Sequence, residues 1–116
     1  MNFRSKKVVP RVKELFDLKN NSTGKFLLRS NVSIAINIVV MAYYIDKKRL
    51  TIGSLVSFIN VNLFISDSSI RNMIKIFKQE DLISTCFLNN KTKVVHPTKK
   101  MIEFNQTILK INGLGN

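Results

Sequence analysis

Residues 51–101, TIGSLVSFINVNLFISDSSIRNMIKIFKQEDLISTCFLNNKTKVVHPTKKM, decide the fold through the order of their elements. The first part predicts a helix over about residues 51–60 and a second helix that runs to about Glu80, joined by a turn at residues 62–66. Thr51 begins the first helix, and Ser66 or Asp67 begins the second, because threonine, serine and aspartate are favourable N-caps. The segment therefore begins as helix, turn, helix.

Two extended segments follow, over residues 82–88 and 91–96. They predict an antiparallel hairpin with a very short tip at Asn89 and Asn90, where left-handed conformations are tolerated. Pro97 stops the second strand and begins a final amphipathic helix, which Gly113 ends.

The part of the chain before residue 50 predicts further helices. Residues 1–9 are basic and without periodicity, as in a flexible arm, and a short helix is expected over about residues 10–19. Residues 20–24 form a turn cluster. A core helix over about residues 30–46 is apolar nearly all round and is therefore expected to be buried on several sides.

The second helix of residues 51–101 has two different sides. Ile70, Met73, Ile74 and Phe77 recur at helical spacing and form an apolar stripe, so this side can pack while the other meets a groove.

The order of elements predicts a winged helix-turn-helix, mainly α with a small antiparallel hairpin and with flanking N- and C-terminal helices. Residues 1–116 form a single domain with a DNA-recognition core at residues 50–100.

The charge of the chain predicts an anionic partner. The formal net charge is +12, from 19 basic and 7 acidic residues. Duplex DNA, RNA and a membrane surface all qualify. The most apolar run, residues 32–45, is too short for a membrane-spanning helix of about 20 residues, so no membrane partner is expected.

Catalytic and metal chemistry find little support. Cys86 is the only cysteine, which excludes an internal disulfide and favours a reducing, cytoplasmic setting with Cys86 as a small buried side chain. His96, the only histidine, precedes a proline at a strand end and is expected to be structural or solvent-facing. No enzyme activity, cofactor or metal is therefore predicted.

Polar and basic side chains on the second helix and the hairpin suit contact with duplex DNA. The N-terminal half of a recognition helix enters the major groove, where arginine can pair with guanine and asparagine with adenine, while lysine more often contacts phosphate. The candidate DNA-binding residues are Ser68, Ser69, Arg71, Asn72, Lys75, Lys78, Lys91 and Lys93.

The run SSIRNMIKIFKQEDLISTCFLNNKTKVVHPTKKMIEFNQTIL resembles the MarR-type winged-helix transcriptional regulators over roughly residues 50–111. The resemblance implies that Ser68, Ser69, Arg71, Asn72 and Lys75 occupy base- or phosphate-contacting positions, and that Lys91 and Lys93 lie in the wing. It also implies a dimer interface made by the terminal helices. Asp81 stands where the family pattern usually has glycine, and the wing is short.

The resulting hypothesis is a sequence-specific, DNA-binding transcriptional regulator that acts as a homodimer. A recognition helix at about residues 67–80 lies in the major groove and a wing at about residues 82–96 lies near the DNA backbone. Two alternatives stay open: a winged-helix protein-interaction or assembly module, and a plasmid or phage replication or partition protein. The sequence does not indicate a small-molecule effector or an operator.

Overall fold

A computed structural model describes residues 22–111 of the chain, with side chains over residues 23–107. Its elements are α1 (Ser22–Leu27), α2 (Asn31–Ile45), α3 (Ile52–Leu63), α4 (Asp67–Gln79), β1 (Ile83–Phe87), β2 (Lys93–Pro97) and α5 (Lys99–Ile111). The predicted class, mainly α with one antiparallel hairpin, is confirmed. The predicted arm at residues 1–9, the helix at residues 10–19 and the helix end at Gly113 lie outside the described residues.

Three helices begin at the predicted capping residues. The hydroxyl oxygens of Ser30, Thr51 and Ser66 accept hydrogen bonds from backbone N–H groups three residues further on, at 3.2, 3.1 and 3.3 Å respectively. Each bond satisfies an N–H group that has no partner within its helix. The starts of α2, α3 and α4 thus follow from local sequence.

The ends of these helices use left-handed residues other than glycine. Lys47, Phe64 and Asp81 have φ values of 56°, 55° and 58°. After α4, Leu82 N donates to Phe77 O at 2.9 Å and Asp81 N donates to Lys78 O at 3.1 Å, which is a Schellman motif. The helix therefore stops sharply, and the chain enters the hairpin.

The core forms where the inner sides of α2, α3 and α4 meet the hairpin. Ile70, Ile74 and Phe77 are buried and Met73 is half-buried, which confirms the apolar stripe predicted on this helix. Leu55 and Ile59 of α3 face the same core. The recognition-helix candidate is therefore fixed by one side, and its opposite side is left to solvent.

The turn cluster predicted at residues 20–24 is wrong over its described part, because Ser22–Leu27 is helical. Leu27 is fully buried, and the Phe26 ring packs edge-on against Phe77 with ring centroids 5.1 Å apart. These long-range contacts outweigh the turn preference of serine, threonine and glycine.

The core helix is buried on several sides, as expected, but one side of it is exposed. Ile38 and Ile45 are 60 % and 59 % exposed, and Phe58 of α3 is 52 % exposed. Within residues 22–111, α2 contacts α1, α3, α4 and β2, and its Asn37 forms hydrogen bonds with Asn105 of α5. The outer sides of α2 and α3 remain uncovered there.

The hairpin pairs Ile83 with Pro97 and Phe87 with Lys93 at its two ends. Leu88 N donates to Thr92 O at 2.7 Å, so the tip has three residues, 89–91, and the predicted tip of two asparagines is one residue too short. Neither tip asparagine adopts a positive φ. Instead, Asn89 Oδ1 accepts hydrogen bonds from the N–H groups of residues 91 and 92 at 2.9 and 3.0 Å, which stabilises the turn through a side chain.

The predicted start of the final helix at Pro97 is wrong, because Pro97 is the last residue of β2. Thr98 takes the capping position: its Oγ1 accepts from Met101 N at 3.4 Å and donates to Asp81 O at 2.8 Å. One hydroxyl therefore links the start of α5 to the end of α4.

A short third strand contact joins α3 to the hairpin. Thr51 forms an isolated antiparallel bridge with Val94, and Val95 N donates to Leu50 O at 2.8 Å. This contact fixes the start of α3 beside the hairpin.

None of the helices within the described part of the chain has the length and hydropathy that a membrane-spanning helix needs.

Candidate nucleic-acid interface

The exposed side of α4 presents two lines of polar side chains. Ser68, Asn72 and Lys75 lie at i, i+4 and i+7, and so do Arg71, Lys75 and Lys78. Residues at this spacing share one side of a helix. All five are exposed, opposite the buried stripe, so the structure brings them together as predicted.

The two serines at the start of α4 take part in its cap. Ser66 Oγ donates to Ser69 Oγ at 2.8 Å and lies 3.5 Å from Ser68 Oγ. Ser69 also lies about 100° around the helix from Ser68, away from the line that includes Asn72 and Lys75. The structure therefore assigns Ser69 mainly to the helix cap and leaves Ser68 on the exposed side.

Arg71 has an acidic neighbour that the sequence analysis did not include. Its Nε donates to Asp67 Oδ2 at 3.2 Å, and the two side chains are 55 % and 62 % exposed. Such i, i+4 surface pairs contribute only about 0.3–0.5 kcal/mol. Asp67 contacts only Nε, so the two Nη groups of Arg71 can still donate to another acceptor. The i, i+4 spacing was the signal in the sequence.

A groove of about 450 Å³ lies between α4, the start of α3 and the hairpin. Its lining includes Arg71 from α4, Thr51 and Gly53 from the start of α3, and Lys91 and Lys93 from the hairpin. The bridge between Thr51 and Val94 fixes the start of α3 relative to the hairpin. Of the predicted cations, Arg71, Lys91 and Lys93 therefore line one concave surface, whereas Lys75 and Lys78 of α4 lie outside its lining.

Phe87 is a surface aromatic that sequence analysis missed. It is 67 % exposed, and the Lys93 ammonium lies 5.0 Å from its ring centroid, within the range of a cation–π contact. Residue 87 shares a face of β1 with buried Ile83, and alternation alone would bury it as well. It is exposed because the hairpin extends past the edge of the core.

The other side of the hairpin faces a second basic groove, of about 520 Å³, formed with the loop between α2 and α3. Lys47, Lys48 and Arg49 line it together with Cys86 and His96. The expected burial of Cys86 is wrong: the thiol is exposed at this outer part of the hairpin, 3.6 Å from His96 Nε2. His96 is exposed, as predicted.

The positive charge around the hairpin is largely uncompensated. Among the described residues, the ion pairs are Arg71 with Asp67 and Lys99 with Glu103, the latter at 3.8 Å. The lysines at 75, 78, 91 and 93 therefore have no acidic partner within residues 23–107. The same part of the chain contains no group of three or more histidine, cysteine or acidic side chains placed to bind a metal ion.

Comparison of the chain with protein-family models, with curated proteins and with solved structures found no match. The assignment of function therefore depends on the geometry of α4 and the hairpin.

Proposed function

We propose that the chain is a sequence-specific, DNA-binding transcriptional regulator of the winged helix-turn-helix class that acts as a homodimer. The observation that supports it most is the groove of about 450 Å³ between α4, the start of α3 and the hairpin, here called the shared groove. In it, Arg71 of α4 and two hairpin lysines face each other, and Asp67 is their only acidic neighbour within residues 23–107. A concave surface with three cations and one acidic neighbour suits a phosphate backbone.

The order of elements also supports this class. Helix α2, the strand contact at Thr51, helices α3 and α4 and the hairpin follow one another as a helix-turn-helix with a wing requires. Asp81, where the MarR-type pattern usually has glycine, has the left-handed φ of 58° that glycine favours. Asp81 therefore has the backbone conformation that a glycine at this position would favour, which supports the proposed class.

In the proposed complex, α4 occupies the major groove. A helix about 10–12 Å across fits a groove about 12 Å wide. Arg71 and Asn72 then face base edges, where arginine can donate two hydrogen bonds to guanine and asparagine can pair with adenine. Lys75 and Lys78 contact phosphates beside the helix, and Lys91 and Lys93 contact the flanking backbone.

Alanine variants test the division between base and phosphate contacts. A duplex selected from genomic fragments and a random duplex of equal length are titrated by fluorescence anisotropy. Replacing Arg71 or Asn72 with alanine should lower the discrimination between the two duplexes by about 1–3 kcal/mol per lost base contact. Lys93→Ala should weaken binding to both duplexes similarly.

Lys25→Ala on α1 is the matched control, because it removes one positive charge outside the shared groove. It should change neither discrimination nor affinity to a comparable extent. Equal losses on both duplexes for Arg71→Ala would overturn the assignment of Arg71 to a base contact.

A second function, a protein-interaction or assembly module, is favoured by the uncovered apolar residues of α2 and α3. In that case the positive charge serves an acidic protein. A shallow dependence of duplex affinity on salt, or no duplex binding near about 100 mM salt, would favour this alternative over the regulator.

A further inference from the structure

Helices α2 and α3 contain no charged side chain over their 15 and 12 residues, on a chain with a net charge of +12. Both helices bury their inner sides in the core and leave their outer sides exposed. The two outer sides adjoin each other, so within residues 23–107 the basic surface of α4 and the hairpin and the uncharged surface of α2 and α3 are different surfaces.

The adjoining sides form a groove of about 310 Å³, here called the apolar groove. It is lined by Asn31, Ile34, Ala35, Ile38, Val39, Phe58, Ile59, Asn62 and Leu63. Its two asparagines are the only polar lining residues, and Asn62 Nδ2 already donates to Phe58 O at 2.8 Å. The groove therefore offers a partner apolar contact and few hydrogen bonds.

Large side chains at the apolar groove remain in contact with water. Ile38, Phe58 and Leu63 are 60 %, 52 % and 44 % exposed. Burial of apolar surface away from water is favourable, so a partner that covered the remaining exposed area of all three side chains would gain binding free energy from each of them. Clustered exposed residues of this kind are typical of an interaction surface.

The absence of charged side chains from α2 and α3 favours a second copy of the chain over an anionic partner. A nucleic acid or an acidic protein would need cations on the surface it meets, and α2 and α3 have none. Two copies of a +12 chain repel each other, and this repulsion is smallest when they approach through uncharged surfaces. An apolar surface is also complementary to itself, as a two-fold symmetric contact requires.

We propose that a second copy of this chain docks on the apolar groove, so that α2 and α3 of one protomer pack against α2 and α3 of its partner. This inference rests on the homodimer included in the proposed function, and it names the contact surface. The DNA-binding residues of that function lie elsewhere, on α4 and the hairpin.

The described part of α5 is already used within the chain, which favours α2 and α3 over the terminal helices as the contact. Met101 is fully buried and Phe104 is 6 % exposed. Asn105 and Asn37 of α2 exchange two side-chain hydrogen bonds, at 2.8 and 2.9 Å. Over residues 99–107, the apolar side of α5 therefore packs inside its own protomer.

Sedimentation equilibrium of the full chain at increasing salt concentration tests the proposal. We expect a monomer–dimer equilibrium whose dimer tightens as salt rises, because salt screens the repulsion between the protomers and leaves the apolar contact intact. Ile38→Glu and Phe58→Glu should each weaken the dimer by at least about tenfold. Each variant lowers the net charge, so general repulsion between protomers cannot explain a weaker dimer.

Leu88→Glu is the matched control: it introduces the same charge at a 45 % exposed apolar residue of the hairpin and should leave the dimer unchanged. Ile38 and Phe58 are more than half exposed in the protomer, so their variants should keep the wild-type circular dichroism spectrum. Phe58→Ala, which introduces no charge, should weaken the dimer in the same direction.

Three results would overturn the proposal. One is a chain that stays monomeric at every salt and protein concentration. This result includes a monomer that binds phosphatidylcholine vesicles through the apolar groove, and a monomer whose residues 1–21 cover that groove. The others are a dimer unaffected by Ile38→Glu and Phe58→Glu, and a dimer weakened equally by Leu88→Glu. Duplex affinity, measured on the same samples, reports the DNA-binding function separately, because it should persist in monomeric Ile38→Glu and weaken with salt.

Discussion

Phe64 combines two unfavourable properties at one residue. It has a left-handed φ of 55°, and its side chain is 92 % exposed. A left-handed conformation costs a residue with a Cβ roughly 1–2 kcal/mol, and glycine avoids that cost. Phe64 ends α3 through Phe64 N donating to Asn60 O at 3.0 Å, so the conformation is required by the turn into α4.

Phe64→Gly should therefore raise the free energy of unfolding by about 1 kcal/mol, because the backbone stays as it is and the steric cost is removed. Urea denaturation followed by circular dichroism measures the change. Phe64→Ala is the control, since it removes the ring and keeps a Cβ in the left-handed conformation. A similar gain for both variants would show that the exposed ring, and not the backbone, is responsible.

At the residue scale, the site was only partly predictable. Spacing along α4 places Arg71, Asn72 and Lys75 on the exposed side, because helical periodicity is a local property. The exposure of Phe87 and Cys86 was not predictable, because it depends on how far the hairpin extends beyond a core assembled from distant segments. The contact between Asp67 and Arg71 was visible as an i, i+4 pair and was missed.

At the scale of elements, the starts of α2, α3 and α4 and the ends of α2 and α4 were predicted to within about one residue. Helix α3 instead runs past the predicted end at about residue 60 to Leu63, and α5 begins after Thr98 and not at Pro97. Serine or threonine at each start forms a hydrogen bond within its own turn, so the sequence signal is local. The ends of α2, α3 and α4 lack the glycine that marks such positions, and Lys47, Phe64 and Asp81 adopt its conformation. Helix α1 was missed because its burial depends on Phe77, 51 residues after Phe26.

Asp67, at the N-terminus of α4, should affect the stability of the fold and the proposed binding to DNA in opposite directions. Asp67 stabilises the first turn through the helix dipole and its pair with Arg71, yet it places a negative charge where phosphates would approach. Asp67→Asn should lower the free energy of unfolding by about 0.5–1 kcal/mol. It should also tighten duplex binding on the order of several-fold at low salt.

Glu103→Gln is the matched control for Asp67→Asn. Glu103 also forms an i, i+4 ion pair, with Lys99, but this pair lies on α5. Denaturation and anisotropy titrations of the two variants give the comparison. If both variants tightened duplex binding equally, net charge alone would govern affinity, and α4 would have no special role.

At the scale of the whole molecule, the basic and the apolar surfaces are separate over the described residues. Unpaired cations gather on α4, on the hairpin and in the loop between α2 and α3, whereas the outer sides of α2 and α3 are uncharged. The net charge predicted an anionic partner from sequence alone, but only the packing of α2 against α3 shows which apolar residues stay exposed. A dimer formed at the apolar groove leaves the basic surface of each protomer free.

The dependence of duplex affinity on salt is the measurement that tests the DNA-binding claim most directly. If Lys75, Lys78, Lys91 and Lys93 neutralise phosphates, log affinity against log salt should have a slope of about −3.5 or steeper on a random duplex. A double variant with alanine at Lys75 and Lys93 should reduce the magnitude of that slope by about 2, whereas alanine at Lys25 and Lys99 removes the same charge elsewhere and should change it little. A nearly flat slope for the wild-type chain, or equal reductions in the two double variants, would contradict the proposal that α4 and the hairpin bind DNA.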